Sequence, residues 1–459
     1  MNLYNTYSKK IEELKPLNPK EVAIYTCGPT VYDFTHIGHL KKYVGDDLLR
    51  RALEFFGYKV KLVRNVTDVG HLVSDADEGE DKLEKGAKRE GKSVWDVARE
   101  FEKYFDYSMD QVGVEKPEVV CRATEHIPSQ IKLIQELEKK GFTYDTTQAV
   151  YFDIAKFKDY GKLSGQSLED KLHGVRDEVV VDSEKRNPAD FALWFKTVGH
   201  FKDHMMHWDS PWGDGFPGWH IECSAMSMEY LGSQLDIHTG GVDHIPVHHE
   251  NEIAQSEAAT GKKFVQIWMH HEFLAVDGMK MSKSLQNFYT VDDVKKRGFE
   301  PLALRYLFLS AHYRQKLNFT WEALDGAQNS LNNIRKLYLE KKEKTADQLT
   351  AGDVKVLEDF KIALNEDLNI PKALAVFWEA LKDSNISFET IEKMDKVLGL
   401  QLSSFKKIER KVSDEALGLA KKRDELRKEK KFLEADTVRG QIVKLGYQVE
   451  DTKEGTLVK

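Results

Sequence analysis

Cysteine is scarce in this sequence. Its 459 residues include only three cysteines, Cys27, Cys121 and Cys223, and these lie far apart along the chain. Three scattered thiols cannot build a disulfide framework, so the sequence predicts a protein of the reducing cytoplasm. A metal-binding role for some of these thiols stays open.

Long apolar runs are also missing. The N-terminal segment MNLYNTYSKKIEELKPL lacks the hydrophobic stretch of a secretory signal. No later segment approaches the roughly 18 consecutive apolar residues of a membrane span. We therefore expect a cytoplasmic protein that is neither exported nor embedded in a membrane, and we expect a monomer.

The sequence also lacks an excess of positive charge. The formal net charge is -8, whereas simple nucleic-acid-binding domains are usually basic. One short segment near the C-terminus is nevertheless crowded with basic residues, namely Lys421, Lys422, Arg423, Arg427, Lys428, Lys430 and Lys431. Two interpretations stay open: this basic run contacts RNA phosphates, or it is the solvated face of an amphipathic helix.

The pattern near the N-terminus predicts a doubly wound α/β sheet. EVAIYTC is typical of a buried strand, HIGHLKKYVGDDLLRRALEFFG has apolar residues at helical spacing, and YKVKLVRNV alternates like a strand. Strand, helix and strand form a right-handed parallel unit. Ligands of such sheets bind beyond the carboxyl ends of the strands, where Cys27 and the following histidines fall.

Three domains are expected from the length and the change of pattern along the chain. We predict a Rossmann-like catalytic domain over residues 1–300, with an insertion at about 75–200 that includes a polar excursion over 74–92. The α/β alternation resumes from Trp219, with a glycine turn predicted at 239–241 and one strand-like run at 264–276. Residues 301–410 predict an α-helical bundle, and residues 411–459 a small C-terminal domain.

Two segments carry residues suited to phosphate chemistry. His36 and His39 stand where a strand gives way to a helix, so free backbone N–H groups and two imidazoles can meet an anion. Lys280 and Lys283 belong to the segment KMSKS in a predicted loop, where two ammonium groups can neutralise a departing pyrophosphate.

A third group has the composition of a zinc site. Cys27 and Cys223 supply thiolates, while His248 and Glu252 lie four residues apart on one face of a predicted helix. This donor set suits Zn²⁺ better than Mg²⁺ or Ca²⁺. His249 is the alternative imidazole ligand, and His249 and Glu250 are the candidates for supporting the ligands. Zinc beside a nucleotide site predicts recognition of a thiol substrate, because a hydroxyl is a far poorer ligand.

In this order, HIGH and KMSKS resemble the paired signatures of class I aminoacyl-tRNA synthetases. The whole chain resembles the cysteinyl-tRNA synthetase family within that class. The matching segments are LYNT, YTCGPTVYD, HIGH, NVTDV, NPADFALW, WDSPWGDGFPGWHIECSAMS, HTGGVD, HHENEIAQSE and KMSKSLQNF.

The resemblance implies a function and a set of site residues. It implies that ATP, with Mg²⁺, activates L-cysteine, and that the cysteine is transferred to the 3′-terminal adenosine of tRNA(Cys). It also implies one zinc per chain. The implied roles are catalysis by His36, His39, Lys280 and Lys283; ATP contacts at His36, His39, Asp243 and Lys283; substrate contacts at Cys27, Gly28, Thr67 and Trp219; and zinc ligands Cys27, Cys223, His248 and Glu252.

Two alternatives and one departure accompany this interpretation. A cysteine ligase that passes the same adenylate to a small amine fits residues 27–290 equally well, and a non-catalytic paralogue is the second alternative. Gln286 stands where the family more often has glycine. We therefore expect slower closure of the KMSKS loop, because glutamine is less flexible there.

Overall fold

The computed structural model describes residues 1–70, 72–74, 78–166, 182–282, 285–344, 351–405, 413–445, 447, 449–452 and 455–458. The chain divides into two compact units, Met1–Ser403 and Ser404–Lys459. The division into three domains near residues 300 and 410 stays a prediction. Within the described residues, no helix is both long and apolar enough to cross a membrane.

The first unit alternates strands and helices before it becomes helical. Its strands are β1 (Asn2–Asn5), β2 (Lys10–Glu13), β3 (Glu21–Thr26), β4 (Lys59–Val66), β5 (Leu72–Ser74), β6 (Glu78–Asp81), β7 (Val119–Arg122), β8 (Thr143–Asp145), β9 (Ala149–Phe152), β10 (Phe191–Lys196), β11 (Gly215–Pro217), β12 (Leu235–Gly241), β13 (Val265–His271), β14 (Leu274–Val276), β15 (Met279–Lys280) and β16 (Leu317–Phe319). Its helices are α1 (Ile37–Phe55), α2 (Lys82–Glu90), α3 (Val94–Gln111), α4 (Ile127–Lys139), α5 (Trp219–Leu231), α6 (His248–Thr260), α7 (Val291–Lys296), α8 (Pro301–Leu309), α9 (Trp321–Lys344), α10 (Ala351–Asn365), α11 (Ile370–Lys382) and α12 (Phe388–Leu398).

The central sheet is parallel, as the sequence predicts. Its five strands run in the order β13, β12, β3, β4, β7, and every pairing between neighbours is parallel. The strand order reverses between β3 and β12, because β4 and β7 extend the sheet on one side and β12 and β13 on the other. Ligands of open α/β sheets bind at such a switch point.

Helix α1 packs along this sheet through the residues that the sequence pattern selects. Leu40, Val44, Leu48 and Ala52 are buried at helical spacing. The side chain of His36 caps the helix, because it accepts from the backbone N–H groups of the first turn. The capped end lies next to the carboxyl end of β3, so α1 begins at the switch point.

A second sheet is antiparallel, and three of its four strands lie in the described part of the predicted insertion, while β11 lies beyond residue 200. Its strand order is β11, β10, β9, β8. The predicted excursion over 74–92 includes the end of the β5–β6 ribbon and helix α2, while its residues 75–77 lie outside the described residues.

Two local predictions are wrong. Residues 239–241 are the last three residues of β12 rather than a turn, because they pair with β13 through the end of the strand. The run 264–276 is two strands, β13 and β14, separated at Glu272 and Phe273. The second unit contains α13 (Asp414–Lys428) and α14 (Phe432–Lys444), which pack together, and a hairpin of β17 (Val449–Thr452) and β18 (Gly455–Val458).

Candidate active site

The switch point holds Cys27 directly after β3. The backbone N–H of Cys27 donates to the carbonyl of Thr239 in β12, at 3.2 Å. Gly28 follows, and a Cβ there would lie 1.6 Å from the carbonyl oxygen of Asn65. Only glycine fits this approach, so the backbone of the predicted substrate-side residue Gly28 lies directly against β4.

Four predicted ligands come together beside this strand end. The ligand atoms of Cys27, Cys223, His248 and Glu252 all lie within 4.8 Å of one another. His248 Nε2 is 3.1 Å from Glu252 Oε1, and Cys27 Sγ is 3.8 Å from the same oxygen. Ligand atoms around tetrahedral zinc lie about 3.3 to 3.8 Å apart, given the usual zinc–ligand bond lengths. The spacing and the donor set therefore fit such an ion.

Three buried elements bring these polar groups into the interior. Cys27 follows the buried strand β3, Cys223 lies in α5, and His248 and Glu252 lie one turn apart in α6. Each of the four residues is at most 3 % exposed. Buried carboxylates and thiols need charged or hydrogen-bonding partners, so the group is unfavourable unless its members compensate one another or bind a cation.

The electrostatics of the group favour positive charge. Burial opposes the charged form of His248, yet Cys223 and Glu252 raise the pKa of His248 to about 10. Burial likewise opposes ionisation of Glu252, but His238 and His248 lower its pKa to about 2. An ionised carboxylate that holds a proton on the neighbouring imidazole marks a place suited to a metal cation.

The alternative ligand His249 also reaches this group. Cys27, His238, His249 and Glu252 form a second set whose ligand atoms lie within 4.8 Å. His249 Nε2 is 3.2 Å from Cys27 Sγ, and its Nδ1 is 2.7 Å from His270 Nε2. The two sets share Cys27 and Glu252, so the choice between His248 and His249 stays open.

The two residues predicted to support the ligands behave differently. His249 lies at the centre of the histidine cluster, whereas Glu250 faces away from it. The carboxylate of Glu250 accepts from the backbone N–H groups of Gly161 and Ser164, at 2.8 and 2.9 Å. Glu250 therefore does not support the ligands as predicted, because its carboxylate fixes the loop after β9 to helix α6.

Trp219 packs on the ligand group, whereas Thr67 pairs with the segment that follows β3. The indole ring of Trp219 stacks on the imidazole of His248, with ring centres 4.2 Å apart. Thr67 is buried after β4, its backbone N–H donates to the carbonyl of Pro29 at 3.0 Å, and its hydroxyl accepts from the side-chain amide of Asn65 at 3.1 Å. An aromatic face thus lies beside the group that would receive a thiol.

The two histidines of the predicted nucleotide element stack at the start of α1. Their ring centres are 3.7 Å apart. His36 Nδ1 accepts from the N–H groups of Gly38 and His39, at 3.1 and 3.3 Å. Burial, and then His39, lowers the pKa of His36 well below its ordinary range. A neutral imidazole whose Nδ1 accepts carries its proton on Nε2, so His36 presents an N–H donor.

Asp243 lies close enough to act on His39. Desolvation in the pocket lowers the pKa of His39 to about 4, and the carboxylate of Asp243 acts in the opposite direction. Asp243 belongs to the short helical turn Val242–His244 that follows β12. The ends of β3 and β12 therefore hold the predicted phosphate and ribose contacts on either side of the switch point.

The KMSKS segment borders a cavity next to these histidines. The cavity has a volume of about 280 Å³ and is lined by residues that include Pro29, Thr35, His36, His39, Met281 and Phe288. The side chain of Asn287 braces the segment, because it accepts from Ser282 N–H at 2.8 Å and donates to the Lys280 carbonyl at 3.1 Å. Lys280 is exposed, and Lys283 lies outside the described residues.

Sequence reasoning missed other polar residues of this region. His238, in the middle of β12, and His270, near the end of β13, complete the imidazole cluster. Glu222 is fully buried, and burial, followed by Asp68, raises its pKa well above the ordinary range. A histidine within a buried strand, as in LDIHTGG, and a glutamate within the apolar helix WHIECSAM were the signals available.

The overall chain trace resembles solved structures of one enzyme class. The Mycobacterium tuberculosis methionyl-tRNA synthetase in complex with methionyl-adenylate superimposes with a TM-score of 0.58, over 83 % of this chain and 90 % of that chain. At 14 % identity this likeness shows the fold alone. Residues 13–329 match the family described as tRNA synthetases class I (C) catalytic domain, which gives the class.

Sequence relatives over the whole chain narrow the class to one family. Cysteine–tRNA ligase 1 of Burkholderia lata is 45 % identical over 460 residues, which cover 99 % of this chain and 95 % of that protein. The cysteine–tRNA ligase of Treponema denticola is 42 % identical and covers 98 % of each chain. The chain belongs to the cysteine–tRNA ligase family of class I tRNA synthetases.

Proposed function

We propose that the protein activates L-cysteine with ATP and transfers it to the 3′-terminal adenosine of tRNA(Cys). A carboxylate oxygen of cysteine attacks the α-phosphorus of ATP, and pyrophosphate leaves with Mg²⁺. A ribose hydroxyl of the tRNA then attacks the carbonyl carbon of the adenylate, and AMP leaves. Class membership supports the reaction type, and the relatives named above support cysteine and tRNA as its substrates.

The observation that carries the proposal is the closeness of a soft metal-ligand group to a phosphate-binding helix start. Cys27 directly follows β3, and nine residues later His36 caps α1. We propose that a substrate with a thiol at one end and a carboxylate at the other binds between these two elements. Cys27, Cys223, His248 and Glu252 would hold zinc, which supplies a soft Lewis acid for the thiolate when bound.

The remaining residues position the reactants. Nε2–H of His36 donates to a phosphate oxygen, and His39 beside it does the same as negative charge moves onto the leaving group. Lys280 and Lys283 neutralise the departing pyrophosphate. Trp219 and Thr67 pack against the substrate, and Asp243 accepts from the ribose. The activation step requires no general base, because the ionised carboxylate of cysteine is itself the nucleophile. In the transfer step the ribose hydroxyl gives up its proton, and the phosphate oxygens of the departing AMP can accept it.

The parts of the chain after the catalytic sheet are proposed to bind RNA. We assign residues 301–410 to a helical bundle that contacts the tRNA and residues 411–459 to the anticodon region. Support comes from the helices α8 to α12 and from the basic run, which lies in α13 and just after it. A cysteine ligase with a small amine as acceptor would not need these elements.

The test is cysteine-dependent exchange of pyrophosphate into ATP without tRNA, with serine as the control and zinc quantified in the same sample. We expect exchange with cysteine only and about one zinc per chain. Absence of exchange in folded, zinc-loaded protein contradicts the proposal. Exchange without charging of tRNA(Cys) favours the small-amine ligase instead.

A further inference from the structure

A half-buried lysine on α1 connects the nucleotide element to the metal-ligand group. Lys42 lies one turn after His39 on the same helix, and its side chain is 12 % exposed. Its ammonium donates to the carbonyl oxygen of Cys27 at 2.7 Å and also to the hydroxyl of Thr26. The lysine therefore holds the last residue of β3 and the ligand residue that follows it.

Asp46 and His271 in turn fix the position of the lysine. Its third partner is Asp46, whose Oδ2 is 2.9 Å away, one turn further along α1. Asp46 also accepts from the Thr26 hydroxyl at 2.7 Å, and its other oxygen lies 2.9 Å from His271 Nε2 at the end of β13. The network thus ties α1 to β3 and β13, the strands on either side of β12.

Gly45, next to Asp46 on α1, leaves room for the contact between Asp46 and His271. A Cβ at Gly45 would lie 2.4 Å from the imidazole of His271, so only glycine lets that ring pack against α1. Burial opposes ionisation of Asp46, yet Lys42 and His271 lower its pKa well below the ordinary range. The carboxylate is therefore a permanent anchor for the ammonium group.

Direct contact between Lys42 and a substrate is disfavoured by this arrangement. An ammonium group has three N–H donors, and the described structure supplies three acceptors, on Thr26, Cys27 and Asp46. A substrate oxygen would have to displace one of them from a buried site. The remaining role is to fix the end of β3 relative to the start of α1.

We propose that Lys42 is a positioning residue for Cys27, anchored by Asp46 and His271. It fixes the distance between the metal-ligand group and the nucleotide element at the start of α1. The proposal rests on the proposed function for the identity of the substrates. Residues that orient ligand residues typically change metal affinity or activity by about 10- to 100-fold when they are removed.

The test compares Lys42→Met with Lys41→Met in the zinc-loaded, full-length protein. Lys41 is the matched control, because it is a buried lysine on the same helix whose ammonium donates to the Glu272 carbonyl instead. For Lys42→Met we expect the KM for cysteine and the rate of zinc loss to a chelator to rise about tenfold. The KM for ATP should change by less than about twofold. Lys41→Met should leave all three unchanged.

A second variant separates positioning from charge compensation. Lys42→Met leaves Asp46 buried without its cation, so the single variant loses stability for that reason alone. Lys42→Met/Asp46→Asn removes both charges and should recover the melting temperature but not the KM for cysteine or zinc retention. The proposal is overturned if the double variant recovers the KM for cysteine and zinc retention along with the melting temperature. It is also overturned if the two single lysine variants have equal effects. Failure of the proposed function is distinguished because the unmodified protein would then show no cysteine-dependent exchange.

Discussion

The two halves of the candidate active site differ in their contact with water. The metal-ligand group is closed: Cys27, Cys223, His248 and Glu252 lie in the interior, and imidazoles of neighbouring strands surround them. The nucleotide half is open, with a cavity of about 280 Å³ beside His36 and an exposed Lys280 in the segment that borders it.

The chemistry of each half accounts for the difference. A thiol is distinguished from a hydroxyl by a soft metal, and that contact is strongest where water is excluded. Pyrophosphate must leave after each activation step, so the lysines proposed to meet it have to move away again. The proposed roles thus agree with a buried metal-ligand group and a nucleotide half that has access to solvent.

Removing one thiolate should give the largest effect. In Cys223→Ser a hydroxyl, a poorer zinc ligand, replaces a buried sulfur, so we expect loss of bound zinc and a fall in cysteine activation on the order of 1000-fold, equivalent to about 4 kcal/mol. Metal analysis and pyrophosphate exchange on the same preparation check this. Normal activation by a metal-free variant would contradict the metal hypothesis.

Cys121 supplies the matched control for that substitution. It is buried like Cys223, but its Sγ donates to the carbonyl of Arg64 at 3.6 Å and it lies outside the ligand group. A serine hydroxyl can make the same hydrogen bond. Cys121→Ser should therefore keep both zinc and activity, which attributes the loss in Cys223→Ser to the ligand rather than to a general defect in packing.

The open half is tested by separating the two roles of His36. Its Nδ1 caps α1, and its Nε2 is assigned to phosphate. His36→Ala loses both, whereas His36→Asn keeps a capping side chain. We expect exchange to fall on the order of 100-fold in both variants, with a loss of about 1 kcal/mol of unfolding free energy in the alanine variant only. If asparagine retains the rate, the imidazole serves only as a cap.

Sequence reasoning was most successful where a pattern is local. The apolar spacing of Leu40, Val44, Leu48 and Ala52 predicts helix α1, and the order of strand, helix and strand predicts the parallel sheet. The ligand group could be predicted because two thiols, an imidazole and a carboxylate, a donor set that suits zinc, accompany HIGH and KMSKS in the same sequence. Glu250 was assigned wrongly, because helical spacing alone does not tell which neighbour a buried carboxylate meets.

Other contacts could not be predicted because they join distant parts of the chain. His271 meets Asp46 across 225 positions, and no local pattern indicates that contact. Residues 239–241 look like a turn because of their glycines, yet they continue β12 through pairing with β13. Whether such a segment forms a strand or a turn depends on the strand with which it pairs, and a single stretch of sequence does not identify that partner.

A smaller effect on tRNA charging is expected from the basic run, whose members can be compared with one another. Arg423 and Arg427 both bind Asp451, at 2.6 and 2.5 Å, whereas Lys421 and Lys422 are exposed and form no ion pair among the described residues. Lys421→Glu/Lys422→Glu should raise the KM for tRNA about tenfold, reduce its salt dependence and leave pyrophosphate exchange unchanged. Arg427→Gln, the control, should leave charging unchanged. Equal charging by all variants would favour the solvated-face interpretation.

The smallest effect is expected at Gln286, where the KMSKS segment turns back. Its φ is +53°, in the left-handed region that costs a residue with a Cβ roughly 1 kcal/mol. Gln286→Gly should raise the unfolding free energy by less than about 1 kcal/mol and change the rate of exchange by less than about threefold. Leu285→Gly is the control, because Leu285 is not among the left-handed residues. If both glycine variants behave alike, general flexibility controls the loop; if only Gln286→Gly gains stability and rate, the open half of the site carries a local backbone strain that the buried half does not share.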